Sequence, residues 1–247
     1  MNAWIVVMGS WAANLTLVSY LAAKTIRRDR VLGYGVAVGL YVAWILVAQV
    51  MAAKLVEFSI MGWSFIIPAA AIMFPFAFQA TDLINEAYGL RYTRYAILTA
   101  FATQVAAVLF FWHAIELPAA PFWELQGPFE KILGVDVPRI IAASWISFLV
   151  NENVDAQIFH WLRQRFAGAW WLRSTVSDTV GLILDSAVFI TLAFYGTVPG
   201  NVLLTMIASQ AAVKWLFGMI DTPWFYAYRR WLYSSSYEGF KGWQASV

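Results

Sequence analysis

Cysteine is missing from all 247 residues, which removes disulfides, thiolate metal sites, iron–sulfur clusters and cysteine nucleophiles together. Charge is scarce as well. Asp, Glu, Lys and Arg make up 12% of the chain, against about 25% in ordinary soluble domains. Thirty such residues could hardly coat a water-exposed globule of this length. The net charge of +2 is too small for a nucleic-acid binder. Histidine occurs twice, as His113 and His160; the predicted spans put them at opposite membrane faces, about 30 Å apart, so a shared metal or bis-histidine haem is excluded. The sequence holds no Walker loop, no Gly-rich dinucleotide loop and no G-x-S-x-G elbow. Nothing calls for an enzyme, a cofactor or a metal. What abounds is apolar surface: 62% hydrophobic residues, fourteen Trp and a mean hydropathy of +0.66. Lipid is the expected solvent for most of the outer face.

A hydrocarbon core of about 30 Å takes roughly 20 apolar residues per helix. Seven stretches qualify or nearly do: 3–23, 31–53, 64–81, 95–115, 138–160, 176–196 and 201–223. They are continuous runs, not the short alternating segments of a β-barrel, so the expected fold is an all-α polytopic helical membrane protein. The first run is preceded by no positive charge and is not read as a cleaved leader. Basic residues fall loop by loop on alternate sides. Lys24, Arg27, Arg28, Arg30, Arg91, Arg94, Arg163, Arg165, Arg173, Arg229, Arg230 and Lys241 face one side, and only Lys54, Lys131 and Arg139 the other. The positive-inside rule then predicts N-terminus out and C-terminus in, within the cell (inner) membrane. Segment 116–137 is the longest connection, and Pro118, Pro121 and Pro128 forbid a continuous helix there. It reads as an interfacial loop held by aromatics, or else as a lid. Trp4, Trp63, Trp112, Trp161, Trp170, Trp171 and Trp224 sit at span ends and read as belt anchors.

Ionisable groups inside spans are costly unless paired or wetted, so they are functional candidates. Asp82, Asn85 and Glu86 share one helix face at the end of the third span. Glu152 and Asp155 lie a turn apart on the fifth, with Asn151 and Asn153 beside them. Ser177, Gly181 and Asp185 recur every four residues along the sixth. Gln210 and Lys214 do so on the seventh, with Asp221 two turns beyond. Counting along antiparallel helices puts Glu152, Asp185 and Lys214 near the midplane. Asp155 falls about a turn further in, and Asp82 and Asp221 nearer the inner face. Four helices thus deliver polar groups to one band, the layout of a solute site between helices. The rival reading is structural: one acid neutralises Lys214, and the rest bond across helices to fix packing. Three or more acids facing a single lysine favour the first.

The run FPFAFQATDLINEAYG, Phe74 to Gly89, followed by Arg94, resembles the signature of the queuosine-precursor transporter family, also called vitamin-uptake transporters. Its pattern is close to F-P-x-x-F-x-x-T-D-x-x-x-E-x-Y-G. Downstream, Glu152-x-x-Asp155-x-x-x-Phe159 is similar to the family's Q-x-x-D-x-x-x-F. Arg173-x-x-x-Ser177-x-x-x-Gly181-x-x-x-Asp185 is similar to its R-x-x-x-S-x-x-x-G-Q-x-x-D, and Lys214 with Asp221-Thr222-Pro223 looks like its last helix. Gln49 stands where the family would have Asn, Glu152 where it has Gln, and Leu182 where a polar residue follows the glycine. The resemblance covers about residues 32–230. It implies a six-helix core akin to the substrate-binding subunits of energy-coupling-factor transporters, and uptake of a deazaguanine precursor of queuosine or archaeosine (preQ0 or preQ1) with no ATPase of its own.

The resulting expectation has three parts: residues 1–30 form an extra transmembrane helix with a basic cytoplasmic loop, 31–233 the transporter core, and 234–247 a polar tail. The predicted solute site comprises Glu152 and Asp185 as first contacts, with Asp82, Asn85, Glu86, Asp155, Gln49, Lys214 and Ser177 around them. Its partners are a small planar solute (a deazapurine or a vitamin) and the bilayer; assembly of identical copies stays open. A vitamin carrier using a separate ATPase, and a non-transporting structural or signalling subunit, are the alternatives.

Overall fold

The computed structural model describes residues 3–60, 63–133, 138–166 and 170–233. Eight helices and one hairpin follow in order: α1 (Ala3–Arg28), α2 (Arg30–Met51), β1 (Leu55–Ile60), β2 (Trp63–Pro68), a 3-10 turn (Ala69–Met73), α3 (Phe74–Tyr88), α4 (Leu90–Glu116), α5 (Gln126–Leu133), α6 (Pro138–Arg165), α7 (Trp170–Phe194) and α8 (Gly200–Tyr233). By length and composition α1, α2, α4, α7 and α8 can each cross a membrane. At 28 residues α6 is long enough too; its Asn151, Glu152 and Asp155 are buried, while Ile146, Val150 and Trp161 are exposed. The chain is a multi-pass, all-α membrane protein. Its exposed side chains are apolar, such as Leu98, Leu109, Phe110, Ile183 and Leu204, whereas Asp82, Glu86, Glu152, Asp155 and Arg173 are buried. That is a soluble protein turned inside out.

The third predicted span is the main correction. A helix over 64–81 does not form. Leu55–Pro68 instead folds as an antiparallel hairpin, paired from Leu55 with Pro68 to Ile60 with Trp63. The helix begins only at Phe74, with Pro75 in its first turn, where proline's missing N–H matters least. Two β-branched residues, Ile66 and Ile67, precede Pro68, and proline disfavours helix just before it. Hydropathy could not see this, because the hairpin's sequence is as apolar as a helix.

Every described side chain of α3 from Phe76 to Tyr88 is buried, so α3 is the central post. Lipid gives helices no hydrophobic reason to associate, and close packing through small residues takes over. Ala77, Ala80 and Ala87 on α3, Ala22 and Ala23 on α1, and Ala96 and Ala100 on α4 serve here. Gly33 of α2 approaches α1 so closely that a Cβ would lie 2.4 Å from the Ile26 Cα. Only Asp29 separates α1 from α2; it caps α2 by accepting from the Leu32 N–H at 2.9 Å. The extra first helix is packed in, not appended. Trp11 donates its ring N–H to the Ile72 carbonyl at 2.9 Å, satisfying backbone freed where the 3-10 turn meets α3. Gln79 reaches Ser19 at 3.0 Å and Trp224 reaches Thr16 at 2.8 Å.

The basic residues gather at one end of the bundle. Arg27 donates to the Trp231 carbonyl, Arg30 to the Ala87 carbonyl and Arg94 to Gln157. At the opposite end Arg139 of α6 caps α7, donating to the Leu192 and Tyr195 carbonyls at 2.7 Å each. Segment 116–137 contains the short α5, with Phe129 against Trp123 (rings 5.6 Å apart) and Phe122 and Ile132 exposed. Trp112, Trp161 and Trp171 are exposed, as belt residues should be. Trp224 is not. It stacks edge-on against Trp11, centroids 5.5 Å apart, inside the bundle. The tail 234–247 and the side chains of Trp4, Trp63, Trp170 and Asp221 lie outside the described residues.

Candidate functional site

α6 and α7 run antiparallel and pack along most of their lengths. Their polar faces meet rung by rung: Ser147 opposite Asp185, Asn151 opposite Gly181, and Asp155 near Ser177 and Asp178. Gly181 lets the two faces approach closely here. A Cβ would sit 2.7 Å from Asn151 Oδ1 and 3.4 Å from the Asp155 Cβ.

The predicted band resolves into four groups. First, Lys214 of α8 pairs with Asp185, whose other oxygen accepts from Ser147 Oγ at 2.6 Å. Second, Glu152 is 3% exposed and accepts a hydrogen bond from Tyr41 of α2 at 2.8 Å. Third, Asp82 of α3, Asp155 of α6 and Asp178 of α7 offer carboxylate oxygens all within 4.8 Å of one another. Ser174 Oγ donates to Asp82 at 2.6 Å and lies 3.3 Å from Asp178. Fourth, Glu86 leaves the band. It sits at the arginine-rich end, 3.1 Å from Arg173, 3.0 Å from Arg229 and 3.9 Å from Arg163, and accepts from the Tyr233 hydroxyl at 2.7 Å. Three cations on one carboxylate clamp α3, α6, α7 and α8 together.

The remaining predicted residues have plainer surroundings. Asn85 donates to the Ala156 carbonyl at 2.8 Å, tying α3 to α6. Ser177 donates back to the Ser174 carbonyl at 3.2 Å. Gln49, half-buried, lies two turns further along α2 than Tyr41, toward the hairpin, and its amide oxygen has no hydrogen-bond partner among the described residues. His113 bonds its own helix at Leu109 and His160 approaches Gln164, each on a separate helix end. Trp145 packs edge-on against Phe101, and Trp215 is 43% exposed.

Sequence reasoning passed over Asp178, Tyr41 and Ser147, and took Arg173 for a loop residue. Arg173 is 2% exposed inside α7. Asp178 was legible in principle: it lies one turn from Ser174 and two turns from Asp185 on the same face. Tyr41 and Ser147 carry no such signal, since a hydroxyl in an apolar run is ordinary.

Residues 68–228 match the protein family described as "Putative vitamin uptake transporter". The chain is similar to the probable queuosine precursor transporter of Bacillus subtilis (strain 168), at 28% identity over 200 residues, 80% of this chain and 86% of that one. It is also similar to the queuosine precursor transporter of Escherichia coli (strain K12), at 31% identity over 51% of this chain and 54% of that one. The probable queuosine precursor transporter of Haemophilus influenzae (strain ATCC 51907 / DSM 11121 / KW20 / Rd) is 32% identical over half of each chain. The last two matches thus span about half the length of those relatives. No solved structure matches significantly.

Proposed function

The chain belongs to the vitamin uptake transporter family, and on that premise we propose that it takes up a queuosine precursor, a 7-deazaguanine such as preQ0 or preQ1, across the cell membrane. The observation that carries the reading is the state of Glu152. Asp185 and Glu86 are each neutralised by a lysine or by arginines, whereas Glu152 is buried and holds a neutral phenol. Its carboxylate has capacity for the adjacent N–H donors of a guanine-type edge, which two oxygens accept side by side. Tyr41 fixes its orientation and offers a ring face beside it. Burial of the whole band supports a closed state, from which α6 must shift against α2 to admit a solute. In this reading the arginine-rich end faces the cytoplasm and the hairpin end faces out. Asp185, held by Lys214 and Ser147, shapes the site more than it touches the solute.

Radiolabelled uptake into cells lacking other carriers tests this directly, with deazaguanines and vitamins offered side by side. Deazaguanine should accumulate and vitamins should not; the reverse result makes the chain a vitamin carrier. Glu152→Ala leaves the Tyr41 hydroxyl and the ring donors without an acceptor, at about 1–3 kcal/mol per buried group. Uptake should fall at least tenfold. Glu152→Gln keeps one acceptor and should fall less. A Gln variant as inactive as the Ala variant would assign Glu152 a charge role instead of a hydrogen-bonding one.

A further inference from the structure

Gln104 has no part in the solute contact proposed above. It lies on the buried stripe of α4, in line with Thr93, Ala96, Ala100 and Val108, and is itself 6% exposed. Its amide nitrogen is buried without a hydrogen-bond partner among the described residues. Amides inside membrane bundles ordinarily bond across helices and fix packing. Asn85 and Gln79 do so, placing their NH2 groups on the Ala156 carbonyl at 2.8 Å and on Ser19 at 3.0 Å. The Gln104 amide is neither turned out to lipid nor taken by a described neighbour, and a buried donor left unpaired costs stability.

Two contacts set its level against Glu152. The Tyr34 hydroxyl of α2 donates to the Tyr92 carbonyl of α4 at 2.8 Å, and both helices run outward from there. Tyr41, which holds Glu152, is seven residues further along α2, and Gln104 is twelve further along α4. Arg94 of α4 meets Gln157 of α6 at 2.8 Å; Gln104 is ten residues outward of the first and Glu152 five outward of the second. Each count leaves Gln104 five residues outward of the Tyr41–Glu152 pair, about 7–8 Å at about 1.5 Å per residue. The packing of Phe101 on Trp145 gives a larger offset, about 15 Å. Ser147 is likewise five residues outward of Glu152, and it marks the level of Asp185. That acid already has Lys214 and Ser147 on its oxygens, so the Gln104 donor calls for an acceptor from outside the chain.

We propose that Gln104 is a solute-contacting residue whose amide donates to an acceptor at the end of the solute remote from Glu152: for a 7-deazaguanine, a nitrile on carbon 7. This rests on the transport reading and goes on from it to name the substituent. Distance decides which acceptor is meant. With Glu152 on the adjacent N–H donors, the 6-carbonyl lies beside that same edge, next to the carboxylate. The 7-substituent projects away across the fused rings, toward the level of Gln104. A nitrile is linear and accepts a hydrogen bond at its tip. An aminomethyl group is a donor and a cation, and it offers the unpaired N–H nothing.

The test compares the 7-nitrile with its 7-ethynyl analogue, which has the same linear shape and no acceptor at its tip. Each competes, unlabelled, with radiolabelled 7-cyano-7-deazaguanine for uptake into cells lacking other carriers. The ratio of their half-inhibitory concentrations does not depend on how much carrier folds or reaches the membrane. The wild type should favour the nitrile about three- to tenfold, the size of one net hydrogen bond, and Gln104→Leu should bring the ratio to about one. If Gln104→Leu does not transport, Gln104→Asn, which withdraws the donor by one methylene, should shrink the ratio. A wild type indifferent between the two analogues overturns the assignment whatever the variants do. So does a ratio unchanged in the variant with both solutes weakened alike, the mark of a glutamine that serves packing alone. Both of those results leave the transport function standing. No uptake of either deazaguanine by the wild type sinks the transport reading, and the assignment with it.

Discussion

Replacing Lys214 by methionine removes a charge while keeping most of the side chain's volume. In the native protein its ammonium meets Asp185, and the two side chains are only 8% and 12% exposed. The variant leaves the Asp185 carboxylate with the Ser147 hydroxyl, at 2.6 Å. Removing one partner of a buried pair costs about 3–5 kcal/mol. The surviving serine bond puts this case near the lower end, about 3 kcal/mol. The converse change, Asp185→Leu, strands an ammonium within the bundle, and insertion scales set that at about 2.5–3.5 kcal/mol. Ser147 keeps an acceptor there, because it also reaches the Asp185 backbone carbonyl at 3.0 Å. Simple addition predicts a loss of about 6 kcal/mol for the double variant. The structure predicts otherwise, since removing both charges leaves neither stranded. The double variant should recover at least about 2 kcal/mol relative to that sum. Denaturant unfolding in detergent, followed by tryptophan fluorescence, measures all three variants on one scale. Losses that add to within about 0.5 kcal/mol would mean the two residues are not coupled, and the pairing argument would fail. Uptake should stay low in the double variant although stability returns.

Glu86→Ala should be more damaging than any single change to the Lys214 pair, because it leaves Arg173, Arg163 and Arg229 facing one another. A loss of about 3–5 kcal/mol is expected by the same unfolding assay, and a loss below about 1 kcal/mol would show that the clamp is dispensable. Gly33→Ala should destabilise the protein despite alanine's helix advantage of about 1 kcal/mol, since its Cβ would meet the Ile26 backbone at 2.4 Å; a more stable variant refutes the close approach of α1 and α2. For orientation, a cysteine at Gly127 of α5, which is exposed, should label from outside intact cells with an impermeant reagent. One at Arg28 should label only after permeabilisation, and the opposite pattern inverts the proposed topology.

How far the fold was legible depended on whether a segment's partner is lipid or protein. Helices α1, α2, α4, α7 and α8 present apolar side chains to lipid, and a long hydrophobic run declares that directly. α3 has protein on its flanks. α3 is buried from Phe76 to Tyr88, so its composition records its neighbours' needs and not the bilayer's thickness. At 15 residues it is also shorter than a span. A hydropathy window over 64–81 therefore merged the hairpin's second strand, a 3-10 turn and half a helix into one apparent crossing. The role of α1 was illegible for a similar reason: Trp11 and Ser19 look unremarkable until Ile72 and Gln79 are placed beside them.

For the site, helical spacing gave the faces but could not give the partners. Asp82 and Glu86 are four residues apart on one face of α3, and from the sequence they are equivalent acids. Across the packing they diverge completely. Glu86 meets arginines from α6, α7 and α8 and becomes a fixed clamp. Asp82, a turn away, meets Ser174 and two further carboxylates. What separates them is the register of α7, which puts Arg173 at one level and Asp178 about a turn and a half along. A slip of about a turn that brought Arg173 toward the acid cluster would withdraw it from Glu86 and carry Asp178 past Asp82, undoing both groups at once. The Asn151–Gly181 contact opposes that slip, because a larger residue brought opposite would displace the Asn151 amide. The small residue between the polar groups thus helps hold each acid opposite its own partners.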